Sequence, residues 1–341
     1  MNELERLLDD VLQGKIIRVG EAKFILDLDG IPSQLLDAAW RLRQQTMGRE
    51  IRFYYPLPRF PSISVTGNRC SLNCKHCAGK YLKQMKAAQN PEALRRLLKT
   101  LDEHGATGCL VSGGSDQNGS VPLSGFYEVL AWAKEETDLI VNVHTGLVDE
   151  EEARNIAETG IDIASLDFIG SEDTIRRVIG LDKTPLEYLD SITRLKQAGI
   201  GSVVPHICVG LDWGQIRGEA EALGLLKQVN PETIVILGLR PTRGTAMQSA
   251  PVPSPDMIAK MIAATRLMFP SSSIALGCMI PHTDRNKVEA LALKAGADRI
   301  VLPNPNTIKL AEERGLDILS LDACCAVPTV LEKRAVRPSC T

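Results

Sequence analysis

Between residues 62 and 302 the chain alternates short apolar runs with longer amphipathic stretches, and this alternation restricts the available folds more than any other feature. The apolar runs are rich in Val and Ile and fall at 62–65, 108–111, 139–144, 161–167, 201–209, 233–239, 273–278 and 299–302. Between them, stretches such as 91–104, 150–159, 185–198, 218–229, 255–269 and 284–295 carry apolar residues at helical spacing. Strands separated in this way by helices pair in parallel, through right-handed crossovers. Eight such units without a dinucleotide-binding fingerprint predict an α/β fold, a closed (β/α)8 TIM-type barrel rather than an open doubly wound sheet. Gly105, Gly160, Gly199 and Gly296 stand where left-handed helix C-caps are expected. The chain divides into a helical N-terminal extension at 1–55, a barrel at 56–305 and a C-terminal tail at 306–341. In the extension, Leu4, Leu7, Leu8 and Val11 fall on one helical face.

Active sites of such barrels lie at the C-terminal ends of the strands. Directly after the first predicted strand comes Ser64-Val-Thr-Gly-Asn-Arg-Cys70-Ser-Leu-Asn-Cys74-Lys-His-Cys77. Iron–sulfur clusters are held by closely spaced thiolates on an irregular loop, so these three are candidate cluster ligands. With three ligands, one iron of a four-iron cluster stays open, the mark of a reactive site.

Composition removes other function classes. With 39 basic and 42 acidic residues the net charge is −3, so there is no electrostatic case for nucleic acid or an anionic membrane. No apolar run reaches the roughly 18–20 residues that cross a bilayer. The start, Met-Asn-Glu-Leu-Glu-Arg, lacks a signal-peptide layout, so a cytoplasmic protein is expected. Nine cysteines in a reducing compartment favour metal binding or catalysis over disulfides.

The spacing Cys-x3-Cys-x2-Cys of Cys70, Cys74 and Cys77 resembles the signature of the radical S-adenosylmethionine (SAM) enzymes. The resemblance implies a 4Fe-4S cluster whose free iron is chelated by SAM. One electron from it yields a 5′-deoxyadenosyl radical that abstracts a hydrogen atom. His76 stands where an aromatic residue often contacts adenine, a departure from the pattern.

The other strand ends supply the remaining candidates. Gly113-Gly114 resembles the stretch that binds the SAM amino group, with Ser115-Asp116 where Glu is often found; by itself it reads equally as an ordinary βα turn. His144 and Thr145 follow the third strand; a strand-end His is either structural or a ligand contact. Asp167 is placed to accept ribose hydroxyls. Arg177 either pairs with the SAM carboxylate or lies on a solvated helix face. His206 and Cys208 share one strand face, and the segment from Val203 through Val209 to Leu211 resembles the one flanking adenine. Arg240 and Arg243 close the sixth strand, where they bind a carboxylate or phosphate or pair with local acids.

Cys109, inside a strand, reads as a small buried hydrophobe. Cys278 at a strand end, Cys324 and Cys325 on the tail, and more weakly Cys340, are candidate ligands of a second, auxiliary Fe-S cluster.

Taken together, Thr66-Gly67, the cysteine triplet, the Gly-Gly loop, His144-Thr-Gly146, Ser165-Leu-Asp167, Val204-Pro-His206 and Cys324-Cys325 are similar to one group. It is the biotin synthase homologues of archaea and anaerobic bacteria that act as two-component lipoyl synthases. The biotin synthase pattern itself does not match fully: Cys109 is displaced by one residue, and Ala275 stands at an arginine-ligand position. The group implies sulfur insertion at C6 or C8 of an octanoyl-lysine on a lipoyl-carrier protein or peptide. It also implies sulfide donation from the auxiliary cluster, a homologous second subunit and a reducing donor such as ferredoxin. Two alternatives stay open: a radical SAM enzyme of another reaction, such as a methylase or mutase, and a non-catalytic Fe-S partner subunit.

Overall fold

The computed structural model describes residues 2–337. Among them, eleven strands build one sheet: β1 (Glu50–Tyr54), β2 (Ser62–Ser64), β3 (Lys86–Ala87), β4 (Gly108–Ser112), β5 (Ile140–His144), β6 (Ile163–Asp167), β7 (Ser202–Val209), β8 (Thr233–Gly238), β9 (Ser273–Leu276), β10 (Arg299–Val301) and β11 (Asp317–Leu321). Every neighbouring pair is parallel, in the order β11-β1-β10-β9-β8-β7-β6-β5-β4-β2-β3. The eight strands expected from the alternation are β2 and β4 to β10.

The α/β TIM-type class holds, and the curled sheet stays open where closure was expected. β10 pairs with β1 in the register Arg52–Arg299, and β1 pairs with β11 in the register Tyr54–Leu321; neither pairs with β2. Residues 50–54, read as part of the helical extension, and 317–321, read as tail, are therefore strands. Both are five-residue segments, and β1 is buried along nearly its whole length. Periodicity cannot tell so short a buried run from a helical turn.

The crossover helices begin where local chemistry stops the loops. Asn90-Pro91, Thr184-Pro185, Ser254-Pro255 and Asn304-Pro305 each set a polar residue before a proline at the first helical position. The glycines expected at helix ends, Gly105, Gly160, Gly199 and Gly296, take φ of 68°, 72°, 95° and 97°. The helix Pro255–Met268 is buried nearly all round, because the N-terminal helices Val19–Asp27 and Ser33–Met47 cover its outer side, with Glu3–Leu12 packed on the latter. There Lys260 is buried with its ammonium donating to the carbonyls of Leu26 and Leu28, which satisfies the charge.

Strand alternation divides the apolar residues between two cores. Val141, Val143, Leu166, Val203 and Ile207 face the helices. Ile140, Ile163, Val204, Val235, Ala275 and Val301 face the lumen, where Tyr54, Leu321, Ala323, Cys325, Ala326, Val327 and Ala335 join them. The C-terminal segment thus fills the barrel instead of trailing from it. It enters by the N-terminal end of β5, where Arg334 donates to the carbonyl of Asp138. A buried ionic network anchors it: Glu332 accepts from Arg52 Nε at 2.7 Å and from the Tyr54 hydroxyl at 2.5 Å, and lies 3.3 Å from Arg299. No helix among the described residues is long and apolar enough to cross a membrane.

Candidate active site

The loop after β2 is curled by residues in the left-handed region, Asn73 at φ 50°, Ala78 at φ 46° and Gly79 at φ 67°. This curl brings Cys74 Sγ, a His76 ring nitrogen and Cys77 Sγ within 4.8 Å of one another. Cys70, on the same loop, is close enough for its charge to raise the Cys74 pKa. Cys74 and Cys77 share a hydrogen bond; Cys77 is held as thiolate by that bond and by His76, and Cys74 is pushed up. Backbone bonds pin the loop from outside, Lys75 N–H to the Val178 carbonyl at 2.8 Å and Met247 N–H to the Lys75 carbonyl at 3.2 Å.

The Gly113-Gly114 turn after β4 lies directly on this loop. Gly114 N–H donates to Thr66 Oγ1 at 2.7 Å, and Ser71 N–H donates to the Ser115 carbonyl at 2.8 Å. A Cβ at position 114 would lie 2.1 Å from the Arg69 carbonyl oxygen and 2.6 Å from Cys70 Cα, so only glycine permits the approach. Two converging thiols, Cys74 and Cys77, with Cys70 on the same loop against a glycine-only contact, fit an iron–sulfur cluster with one iron left for a ligand.

Across the lumen, Asp167 ends β6 opposite His206 of β7. His144 and His206 place their ring centroids 5.8 Å apart. Loss of hydration, reinforced by His144, lowers the His206 pKa to about 4, so the ring is neutral at physiological pH. Asp167 also raises the pKa of His76, which links this wall to the cysteine loop. His206 and Cys208 face the lumen together, as their spacing implied; burial raises the Cys208 thiol.

Other candidates sit elsewhere. The Asp116 carboxylate accepts from the Asn118 and Ser120 amides of its own loop and, with Asp149, Glu152, Lys183 and Arg194, lines a separate cavity of about 600 Å³. Arg177 is bound by both oxygens of the buried Asp212, at 3.1 and 3.0 Å, a partner the sequence did not flag. Thr145 is fully buried, its hydroxyl donating to the Gly146 carbonyl at 2.9 Å. Val209 packs in the outer core and offers the lumen no side chain.

A second cysteine group occupies the lumen. Cys324 and Cys325 share a hydrogen bond, and Asn142 Nδ2 lies 3.9 Å from Cys324 Sγ while its Oδ1 accepts from Ser165 Oγ at 2.9 Å. The Cys324 pKa falls to about 7 because the Cys325 thiol donates to it. Cys278, after β9, keeps an exposed surface; crowding by the surrounding groups and then Cys324 raise its thiol. Arg299 holds the turn by donating to the carbonyls of Cys325 at 2.9 Å and Val327 at 2.7 Å. Cys109 packs in the outer core, where burial raises its pKa to about 12. Cys340 lies outside the described residues. Sequence reasoning missed Asn142, Ser165 and Arg299 as lumen residues; the signal was polar residues inside otherwise apolar strands.

Comparison with known proteins agrees with this geometry. Residues 64–214 match the radical SAM superfamily. The chain is 24% identical over 290 residues to the biotin synthase of Prochlorococcus marinus (strain NATL2A), covering 82% of this chain and 80% of that one. It is 25% identical over 246 residues to that of Coxiella burnetii (strain RSA 493 / Nine Mile phase I), covering 70% and 74%. The fold is shared with methylornithine synthase (PylB) at a TM-score of 0.68 and 19% identity, over 92% of this chain and 97% of that one. It is also shared with the FeFe-hydrogenase maturase HydG from Carboxydothermus hydrogenoformans at 0.71 and 17% identity, over 97% and 81%. Over residues 64–214 the chain matches the radical SAM superfamily, and across most of its length it is similar to biotin synthases.

Proposed function

We propose that this enzyme inserts sulfur at C6 or C8 of an octanoyl-lysine on a lipoyl-carrier protein, working with a homologous second subunit and a ferredoxin-type donor. One observation carries the reading: a second set of thiols, Cys324 and Cys325 in the lumen with the exposed Cys278 of the β9 end beside them, faces a first set on the β2 loop. The relatives are named biotin synthases, and biotin synthase is a sulfur-inserting enzyme. Their ligand pattern is not reproduced, since Ala275 faces the lumen and Cys109 faces away from it. The tail supplies the lumen thiols instead.

When bound, the reduced cluster and SAM supply hydrogen-atom abstraction from an unactivated C–H bond, which acid–base groups cannot achieve at useful rates. The chain's own residues do the rest. Cys70, Cys74 and Cys77 would hold the first cluster, and the missing side chains of Gly113 and Gly114 let the β4 end pack against their loop. Asp167 offers a carboxylate and His206 a neutral ring to a nucleoside. The apolar plug closes the lumen from below and excludes water. Cys278, Cys324 and Cys325 would hold the auxiliary cluster as sulfide source, with Asn142 and Arg299 fixing the turn.

Anaerobic reconstitution with iron and sulfide, then dithionite, SAM and an octanoyl-lysyl peptide, tests this by mass spectrometry. A gain of one sulfur with 5′-deoxyadenosine supports the reading. Deoxyadenosine without sulfur gain, even with the homologous subunit present, returns the substrate to another radical SAM reaction.

A further inference from the structure

The mouth of the barrel is electrically divided. From residue 65 to residue 91 the chain has five Lys and Arg and no Asp or Glu, and from 233 to 255 it has Arg240 and Arg243 and again no acid. The loop after β5 and the helix that follows it begin Asp149-Glu-Glu-Glu152. The cationic half folds into a cavity of about 340 Å³, lined in part by Lys80, Tyr81, Arg240, Arg243, His282 and Thr283. No carboxylate lines it. Among the described residues, Lys80, Arg240 and Arg243 have no ion-pair partner.

The charges are also brought together rather than scattered. Lys80 reaches from the cysteine loop to the loop after β8, where a Cβ at Gly244 would lie 2.5 Å from its Nζ. The Tyr81 hydroxyl and Thr242 Oγ1, 3.0 Å apart, tie the same two loops together. Arg240 Nη1 lies 4.0 Å from Sδ of Met279, the residue after Cys278. The cavity therefore adjoins both cysteine groups. Holding like charges side by side without a counter-ion costs free energy that an incoming anion recovers.

We propose that this pocket docks carboxylate side chains of an acidic polypeptide segment that flanks the acyl-lysine. The proposal deepens the sulfur-insertion reading and rests on it for the identity of the acyl-lysine. Two features favour a polypeptide. Arg243, His282 and Thr283 are exposed, so the cavity opens onto the surface as a rim that a protein can cover. Tyr81, its aromatic residue, has its hydroxyl committed to Thr242 across the pocket. Carboxylates on both sides of one lysine would orient its acyl chain into the lumen between the two thiol sets.

The test reads binding, not turnover. Two fluorescein-labelled peptides carry octanoyl-lysine at the centre, flanked by Glu in one and by Gln in the other. They are titrated anaerobically against the reconstituted full chain. At low salt the Glu-flanked peptide should bind about tenfold tighter, the gain from two or three charge-assisted contacts. The advantage should vanish at high salt. It should also vanish in R240Q/R243Q, and persist in K99Q/K309Q, which removes the same charge from the outer helices. Equal affinity for the two peptides overturns the proposal. So does an advantage that survives R240Q/R243Q, or one lost equally in K99Q/K309Q. Failure of sulfur insertion would overturn the functional reading and leave this binding result standing, so the two are separable.

Discussion

Asn142 Nδ2 lies 3.9 Å from Cys324 Sγ, although 182 residues separate the two in sequence. One is in the middle of β5 and the other is on the C-terminal plug. Their meeting places the tail cysteines inside the barrel, on the route between the plug and the mouth.

Replacing Cys325 by Ala should therefore separate the two chemistries. SAM cleavage should persist, iron should fall from about eight to about four per chain, and sulfur gain in the peptide should disappear. Iron analysis and mass spectrometry on one preparation read all three. Sulfur transfer by Cys325→Ala would remove Cys325 from the auxiliary set.

Gly114→Ala attacks the first site without touching a ligand. The added carbon would lie 2.1 Å from the Arg69 carbonyl oxygen, so the cysteine loop must move. A displacement of this order costs about a hundredfold in rate, read as 5′-deoxyadenosine formation, with far-UV circular dichroism unchanged. Cys77→Ala should abolish the same signal altogether.

Glu332 is the acceptor shared by Arg52, Tyr54 and Arg299 and is 3% exposed. Glu332→Ala leaves two buried guanidinium groups without their carboxylate, which should destabilise the fold by about 3–5 kcal/mol. Denaturant unfolding measures it. Glu332→Gln keeps a hydrogen-bond acceptor and should lose less.

The lowered pKa of His206 makes a signed prediction. Folding holds it near about 4, against 6.5 for the free side chain. The folded state then binds fewer protons than the unfolded one between these values. The stabilisation is fully present above pH 6.5 and is lost as pH falls toward 4, by at most about 3 kcal/mol. Thermal unfolding of the cluster-free protein should show a shallower loss across this window in His206→Gln. An unchanged slope would mean that His206 does not stay neutral.

Much of the architecture was legible in the sequence because its determinants are local. Eight Val- and Ile-rich runs became eight parallel strands, and polar-then-proline pairs started the helices between them. The triplet Cys70, Cys74 and Cys77 needed only a short loop to converge, so its spacing sufficed. The same local reasoning stopped at residues whose partners are distant. β1 and β11 were hidden because a five-residue segment is too short to show a readable period. Arg177 gave no hint that Asp212 binds it. Asp116 looked like a cofactor contact until its own loop amides claimed it. The tertiary structure alone decided that the C-terminal segment turns back into the lumen, because only there can its apolar residues and Glu332 meet the inward faces of strands from the whole barrel. It alone placed the acid-free segments around residues 80 and 240 against each other, since charges far apart in sequence make one field only when the fold brings them within a few ångströms.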